Sequence, residues 1–150
     1  MLDKKRSVVL VFAEDDDDDF LLAHEALMES HLLNTIFRVK DGQELMDFLL
    51  HQNAYTHPGS APRPDIILLD LNMPRKDGRE ALSEIKAHPL LRSIPVVVLT
   101  TSKVEEDIIR TYELGVSSFI RKPVTFEQLC KIVKVLEEYW FEIVVLPPTN

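Results

Sequence analysis

Nine residues, Ile66-Ile67-Leu68-Leu69-Asp70-Leu71-Asn72-Met73-Pro74, constrain the fold more than any other stretch of the chain. Four apolar residues run without alternation into a carboxylate. A strand with one wet face alternates, whereas a strand covered on both faces does not. The run reads as a central parallel strand between two helical layers, with Asp70 where the strand ends. In an open α/β sheet the carboxyl ends of the strands form the ligand crevice. Pro74 cannot continue a ladder, and Pro74 to Gly78 reads as a loop. An aspartate alone after a strand is most often a helix cap or loop acceptor. The sharper reading therefore depends on what ends the other strands.

In chain order, Ser7 to Ala13 is a second buried-strand run, ending in the six carboxylates Glu14 to Asp19. Asp17 to Asp19 suit the N-terminus of the following helix, where free N–H groups and the dipole favour negative charge. That helix has Phe20, Leu21, Ala23, Leu27 and Met28 as its apolar stripe. His24 and His31 have no partner at metal-ligand spacing and read as surface residues. Asn34 to Val39 is a short strand. Asp41-Gly42 is a turn, and Gln43 to Leu50 a helix with Leu45, Met46, Leu49 and Leu50 inward. Gln52 to Pro64 loses all periodicity and reads as a mobile surface loop. After Asp77-Gly78, Arg79 to Ala87 is a helix with Ala81, Leu82 and Ile85 on one side. Val96 to Leu99 is a buried strand ending in Thr100. A helix from about Val104 to Tyr112 stops near Gly115, and Ser117 to Ile120 is a strand ending in Arg121-Lys122-Pro123. The last helix spans about Thr125 to Glu138. If Pro123 is cis, that geometry constrains Lys122.

Five strands alternate with five helices, which makes a doubly wound parallel sheet. With 150 residues and 45% apolar composition, the chain suits one domain with a full core. Its core is expected at about residues 7–138 and an apolar tail at 139–150. No Gly-x-Gly-x-x-Gly or P-loop pattern occurs, so a dinucleotide fold or P-loop enzyme is disfavoured. The net charge of -8 argues against a non-specific nucleic-acid grip. The single cysteine, Cys130, excludes an internal disulfide framework and reads as a buried thiol. No signal peptide or membrane-length span is visible, so a cytoplasmic location is the default.

The carboxyl ends of the strands carry Glu14 and Asp15, then Asp70, Thr100 and Lys122. Oxygen ligands without Cys or His suit Mg²⁺, with Mn²⁺ as an alternative. A phosphoryl group nearing Asp70 meets like charge, which a cation at Glu14 and Asp15 cancels, while Lys122 holds another oxygen. An aspartate is a competent covalent nucleophile, and Thr100 can donate its hydroxyl to the bound group.

These marks resemble the receiver domains of two-component response regulators: Glu14-Asp15-Asp16, Asp70 with Met73-Pro74 and Asp77-Gly78, Thr100, Gly115 and Lys122-Pro123. The resemblance spans roughly Ser7 to Glu138. It implies the flavodoxin-like strand order 2-1-3-4-5 and a phosphoryl group taken by Asp70 from a histidine kinase. It adds the backbone carbonyl of Asn72 to the metal ligands, and Thr100 with Phe119 as switch residues acting on the face of the fourth helix, fifth strand and fifth helix. Such domains catalyse their own phosphorylation and slow dephosphorylation without being conventional enzymes.

A closer similarity is to the small stand-alone regulators paired with cyanobacterial and bacterial phytochromes. It rests on Pro64-Asp65, Asn72 to Glu80, Leu99 to Ser102 and the apolar tail after Trp140. It implies a phytochrome-type kinase partner and a homodimer, with Trp140, Phe141, Ile143 and Val145 as interface candidates. The tail either pairs with a second copy or folds back on its own domain. One departure stands out: Asp17 occupies a position where that family usually has Pro. With no output domain following, signalling is expected through protein contact. The rival readings are a pseudo-receiver that binds proteins without taking phosphate, and a small hydrolase using the same carboxylates.

Overall fold

The unalternating run at 66–70 becomes the middle of a sheet. In the computed structural model, which describes residues 9–29, 35–73, 75–100, 118–121 and 127–128, β3 (Ile66–Asp70) is buried along its whole length. It lies between β1 (Val9–Ala13) and β4 (Val96–Thr100), with β2 (Thr35–Val39) beyond β1 and β5 (Ser118–Arg121) beyond β4. All four pairings are parallel, and the order β2-β1-β3-β4-β5 is the flavodoxin-like one.

Each strand serves both layers because successive side chains point to opposite faces. Val11 and Ala13 of β1, with Ile67 and Leu69 of β3 and Val96 and Val98 of β4, join one core cluster. That cluster takes Leu45, Met46, Phe48 and Leu49 from α2 (Gly42–Leu50) and Ala81, Leu82 and Ile85 from α3 (Gly78–Ala87). The out-of-phase residue Phe12 instead meets Phe20 of α1 (Asp17–Glu29) edge-to-face at 5.5 Å. Phe48 is buried between Phe37 and Tyr55.

Two expectations are corrected. The apolar stripe of α1 is narrower than its spacing suggests: Ala23 is buried, but Leu21 and Met28 are 55% and 49% exposed, and Leu22 is exposed beside them. His24 is half-buried at the helix surface, its ring 5.4 Å from that of Phe20. The stretch from Gln52 to Pro64 runs mostly at the surface, as expected, but it is anchored rather than mobile. It holds a short 3₁₀ turn (Asn53–Tyr55) and buries Ala61 and Pro64. It is pinned by a Tyr55 hydroxyl to Glu44 bond of 2.6 Å, a His51 to Ala61 carbonyl contact, and Arg63 donating to the Leu90 carbonyl and Ser93. The helices expected near 104–112 and 125–138, with Gly115, Lys122, Pro123, Cys130 and the tail, lie outside the described residues, apart from 127–128, which are helical.

Candidate functional site

Parallel strands deliver their carboxyl ends to one edge, and three carboxylates meet there. One oxygen from each of Glu14, Asp15 and Asp70 lies within 4.8 Å of the others. Glu14 is fully buried, Asp70 is 1% exposed and Asp15 is open to solvent, so the cluster has one accessible side. Like charges at this separation repel by on the order of 4 kcal/mol per pair at an effective dielectric near 20. A divalent cation offsets that repulsion. Hard oxygen donors in this number, without sulfur or imidazole, fit Mg²⁺ or Mn²⁺. The residues present therefore suit the metal that the fold family implies.

Local backbone chemistry sets each group. The Glu14 N–H donates to the Val39 carbonyl at 3.0 Å, tying the end of β1 to β2. The Asp16 N–H donates to Glu14 Oε2 at 3.2 Å, and Asp16 Oδ1 accepts from the Asp19 N–H at 2.8 Å. Asp16 is thus the N-cap of α1, with Asp17 to Asp19 as its first turn. The acid run divides by role: two residues at the crevice, one cap, three on the helix.

On β3, Asp70 Oδ1 accepts from the Asn72 N–H at 3.1 Å, which turns the chain immediately after the strand. The loop then folds back, and the Gly78 N–H donates to the Leu71 carbonyl at 3.1 Å. Asp77 caps α3 by accepting from the Glu80 N–H at 3.0 Å. A second seam joins this loop to α2, where the Gly42 N–H donates to the Lys76 carbonyl at 2.7 Å. Arg75, in the left-handed region at φ 60°, pairs with Asp41, whose other oxygen caps α2.

Of the residues singled out in the sequence, Glu14, Asp15 and Asp70 come together. Asn72 follows on the same loop. The Thr100 backbone ends β4 and pairs with Arg121, one position beyond the Asp70–Leu99 pair. Phe119, on β5, is partly buried against the core. Lys122, Pro123, Trp140, Phe141, Ile143 and Val145 lie outside the described residues.

Arg38 was missed. Its Nε donates to the Glu14 carbonyl at 3.0 Å, its Nη1 lies 2.7 Å from Asp17 Oδ1, and its guanidinium sits 4.7 Å from the Phe20 ring centre. That hydrogen bond and charge, with a smaller effect from Lys40, hold the Asp17 carboxyl below its ordinary range. The available signal was a lone arginine inside the otherwise apolar run Ile36-Phe37-Arg38-Val39.

Comparison with known proteins agrees with this geometry. Residues 10–134 match the family described as the response regulator receiver domain. The response regulator Rcp1 of Synechocystis sp. is 45% identical over 139 residues, covering 93% of this chain and 92% of its own. The probable methanogenesis regulatory protein FilR2 of Methanothrix harundinacea is 36% identical, over 93% of this chain and 88% of its own. Among solved structures, the phosphorylated cyanobacterial phytochrome response regulator RcpA aligns with a TM-score of 0.76 at 44% identity, over 95% of this chain and 100% of its own. The Mn²⁺-bound form of Rcp1 aligns with a TM-score of 0.74 at 44% identity, over 94% and 99% of the two chains. With the fold, the acidic cluster and these likenesses in agreement, the chain belongs to the response-regulator receiver family and is closely related to the response regulators of cyanobacterial and bacterial phytochromes.

Proposed function

We propose that Asp70 is the phosphoacceptor of a phosphorelay whose donor is a sensor histidine kinase of the phytochrome type. The observation that carries this is the meeting of Asp70 with Glu14 and Asp15 at the carboxyl ends of β3 and β1. An Asp70 carboxylate oxygen attacks the phosphorus of a phosphohistidine. The new O–P bond forms as the N–P bond breaks, and the imidazole leaves with its electron pair and is protonated. Attack of water on the acyl phosphate later returns Asp70 and inorganic phosphate. Glu14, Asp15, Asp70 and the Asn72 carbonyl would hold the cation, which supplies charge neutralisation for the incoming phosphoryl group. Lys122 and Thr100 are assigned to the phosphoryl oxygens, and Thr100 with Phe119 to the switch. Phosphorylation then shifts a population between two states of the β4–β5 side of the domain.

The likeness to phytochrome response regulators supports the choice of kinase. Residues 1–150 form one receiver unit in this reading, with a core at about 7–138. Residues 139–150 serve a homodimer through Trp140, Phe141, Ile143 and Val145, and output goes through protein contact. Among the described residues no helix is long and apolar enough to cross a membrane.

Incubation with acetyl phosphate and Mg²⁺, followed by intact-mass measurement, tests the assignment. The wild-type chain should gain one phosphoryl group, and neither Asp70→Asn nor a chelator-treated sample should. A wild-type chain inert to both small donors and kinase would instead support a binding module that never takes phosphate.

A further inference from the structure

We propose that Arg38 is a positioning residue for the cation-binding loop, acting as one unit with Asp17. The proposal rests on reading Glu14, Asp15 and Asp70 as a divalent-cation site. The ordinary use of a charged residue on an edge strand is to keep other strands away, with the charge in water. Arg38 does otherwise. Its side chain is only 18% exposed and turns toward the loop after β1. Its Nη2 is buried without a hydrogen-bond partner among the described residues. A buried donor left unmade is costly, a cost that an apolar residue on the strand would not carry. Costs of this kind gather at functional sites.

The two bonds of Arg38 bracket the metal ligands. The carbonyl gripped by Nε belongs to the Glu14–Asp15 peptide, so the bond fixes the plane from which Asp15 departs. The Asp17 carboxylate gripped by Nη1 lies beyond Asp15 and Asp16. Between the two anchors, the Asp16 N–H holds Glu14 Oε2. One guanidinium thereby sets the spacing of two carboxylates that must converge on one ion. The same bond gives Asp17 a use at the start of α1: its side chain supplies an anchor through Arg38.

Charge and geometry pull in opposite directions. Removing Arg38 deletes a positive charge, which by itself favours a cation. Removing it also frees the loop, which disfavours one. Arg38 and Asp17 nearly cancel each other's distant field, and Asp17 is 77% exposed and screened by water and salt. Geometry should therefore win. Loss of a group that orients metal ligands typically weakens binding by roughly 10–100-fold.

The test is Mn²⁺ titration followed by the electron paramagnetic resonance signal of free Mn²⁺, at about 0.15 M salt. Four chains are compared: wild type, Arg38→Met, Asp17→Ala and the double variant, each checked for folding by circular dichroism. Methionine keeps an apolar stem against Phe20, and Asp17 lies in an exposed first turn. Arg38→Met should bind Mn²⁺ about tenfold more weakly, and Asp17→Ala more weakly than wild type but less so than Arg38→Met, as a partial loss of the same bracket. The double variant should bind no more weakly than Arg38→Met, because two members of one unit are not additive. It also removes one charge of each sign, so its loss cannot be assigned to net charge. A folded Arg38→Met with unchanged or tighter Mn²⁺ binding overturns the proposal. If that variant does not fold, unchanged binding by Asp17→Ala overturns it. A wild-type chain that binds no Mn²⁺ removes the underlying cation site, and the proposal with it.

Discussion

Gly78 shows how one residue without a side chain shapes the surroundings of Asp70. A Cβ there would lie 2.4 Å from the Asp70 carbonyl oxygen and 2.6 Å from the Leu71 Cα. Both are backbone atoms in or beside the central strand, so neither can swing aside. The requirement is space, because α3 must begin directly against the end of β3. Gly59 is the opposite case, with open surroundings and a φ of 83°. Gly78→Ala should destabilise the fold by roughly 1–3 kcal/mol through overpacking and slow phosphorylation by displacing Asp70. Gly59→Ala should cost about 1 kcal/mol through backbone strain alone and leave the phosphorylation rate unchanged. Urea unfolding and acetyl phosphate kinetics on the two variants check both halves. Equal stability and rate for Gly78→Ala and the wild type would contradict the packing argument. In the sequence Asp77-Gly78 reads only as a turn, because the atoms that exclude a side chain at 78 come from a strand end seven or eight residues away.

Among the elements, the central strand was the most legible, because burial on both faces removes alternation and leaves an unbroken apolar run. The convergence of Glu14, Asp15 and Asp70 was legible for a related reason. Parallel strands share one carboxyl edge, so residues ending separate runs must meet. The α1 stripe was less so: Leu21, Leu22 and Met28 are apolar letters at helical spacing, yet spacing does not say which arc faces the sheet. Nor does the strand pattern say that Arg38 turns inward, since its partners Glu14, Asp17 and Phe20 lie on other elements. The connection from α2 to β3 hid its anchors in the same way. Its Tyr55 phenol is pushed well above the ordinary tyrosine range, first by burial and then by its bond to the Glu44 carboxylate. A raised folded-state pKa gives stability that is complete below the unfolded value near 10 and is lost as pH rises above it. Tyr55→Phe should therefore lower stability at pH 8 by about 1 kcal/mol, and the gap should narrow toward pH 11. Urea unfolding at the two pH values measures it. A gap that stays constant or widens would show that the Tyr55–Glu44 bond does not anchor this connection.

At the scale of the whole molecule, the apolar composition of the tail bears on the proposed pairing with a second copy of the chain. The tail carries Trp140, Phe141, Ile143, Val144, Val145 and Leu146 within seven positions. Burying one large apolar side chain contributes roughly 1.5–3 kcal/mol. Several such groups buried together suffice for a modest dimer, even after the cost of association. With a single chain type, an isologous pair is the simplest way to bury them, since each tail finds its complement on an identical surface. The pairing would adjoin the side of the domain assigned to the Thr100 and Phe119 switch, so phosphate on Asp70 should alter the dimer constant. Linkage makes this reciprocal: whatever tightens the pair must also favour the phosphorylated state to the same degree. Sedimentation of the full chain at tens of micromolar, with and without a phosphoryl mimic such as beryllofluoride, should show a dimer whose dissociation constant shifts on activation. Removal of the residues after Glu138 should abolish it and leave Asp70 phosphorylation intact. A monomer in both states would exclude the pairing, and a dimer that survives truncation would assign the contact to the helices instead.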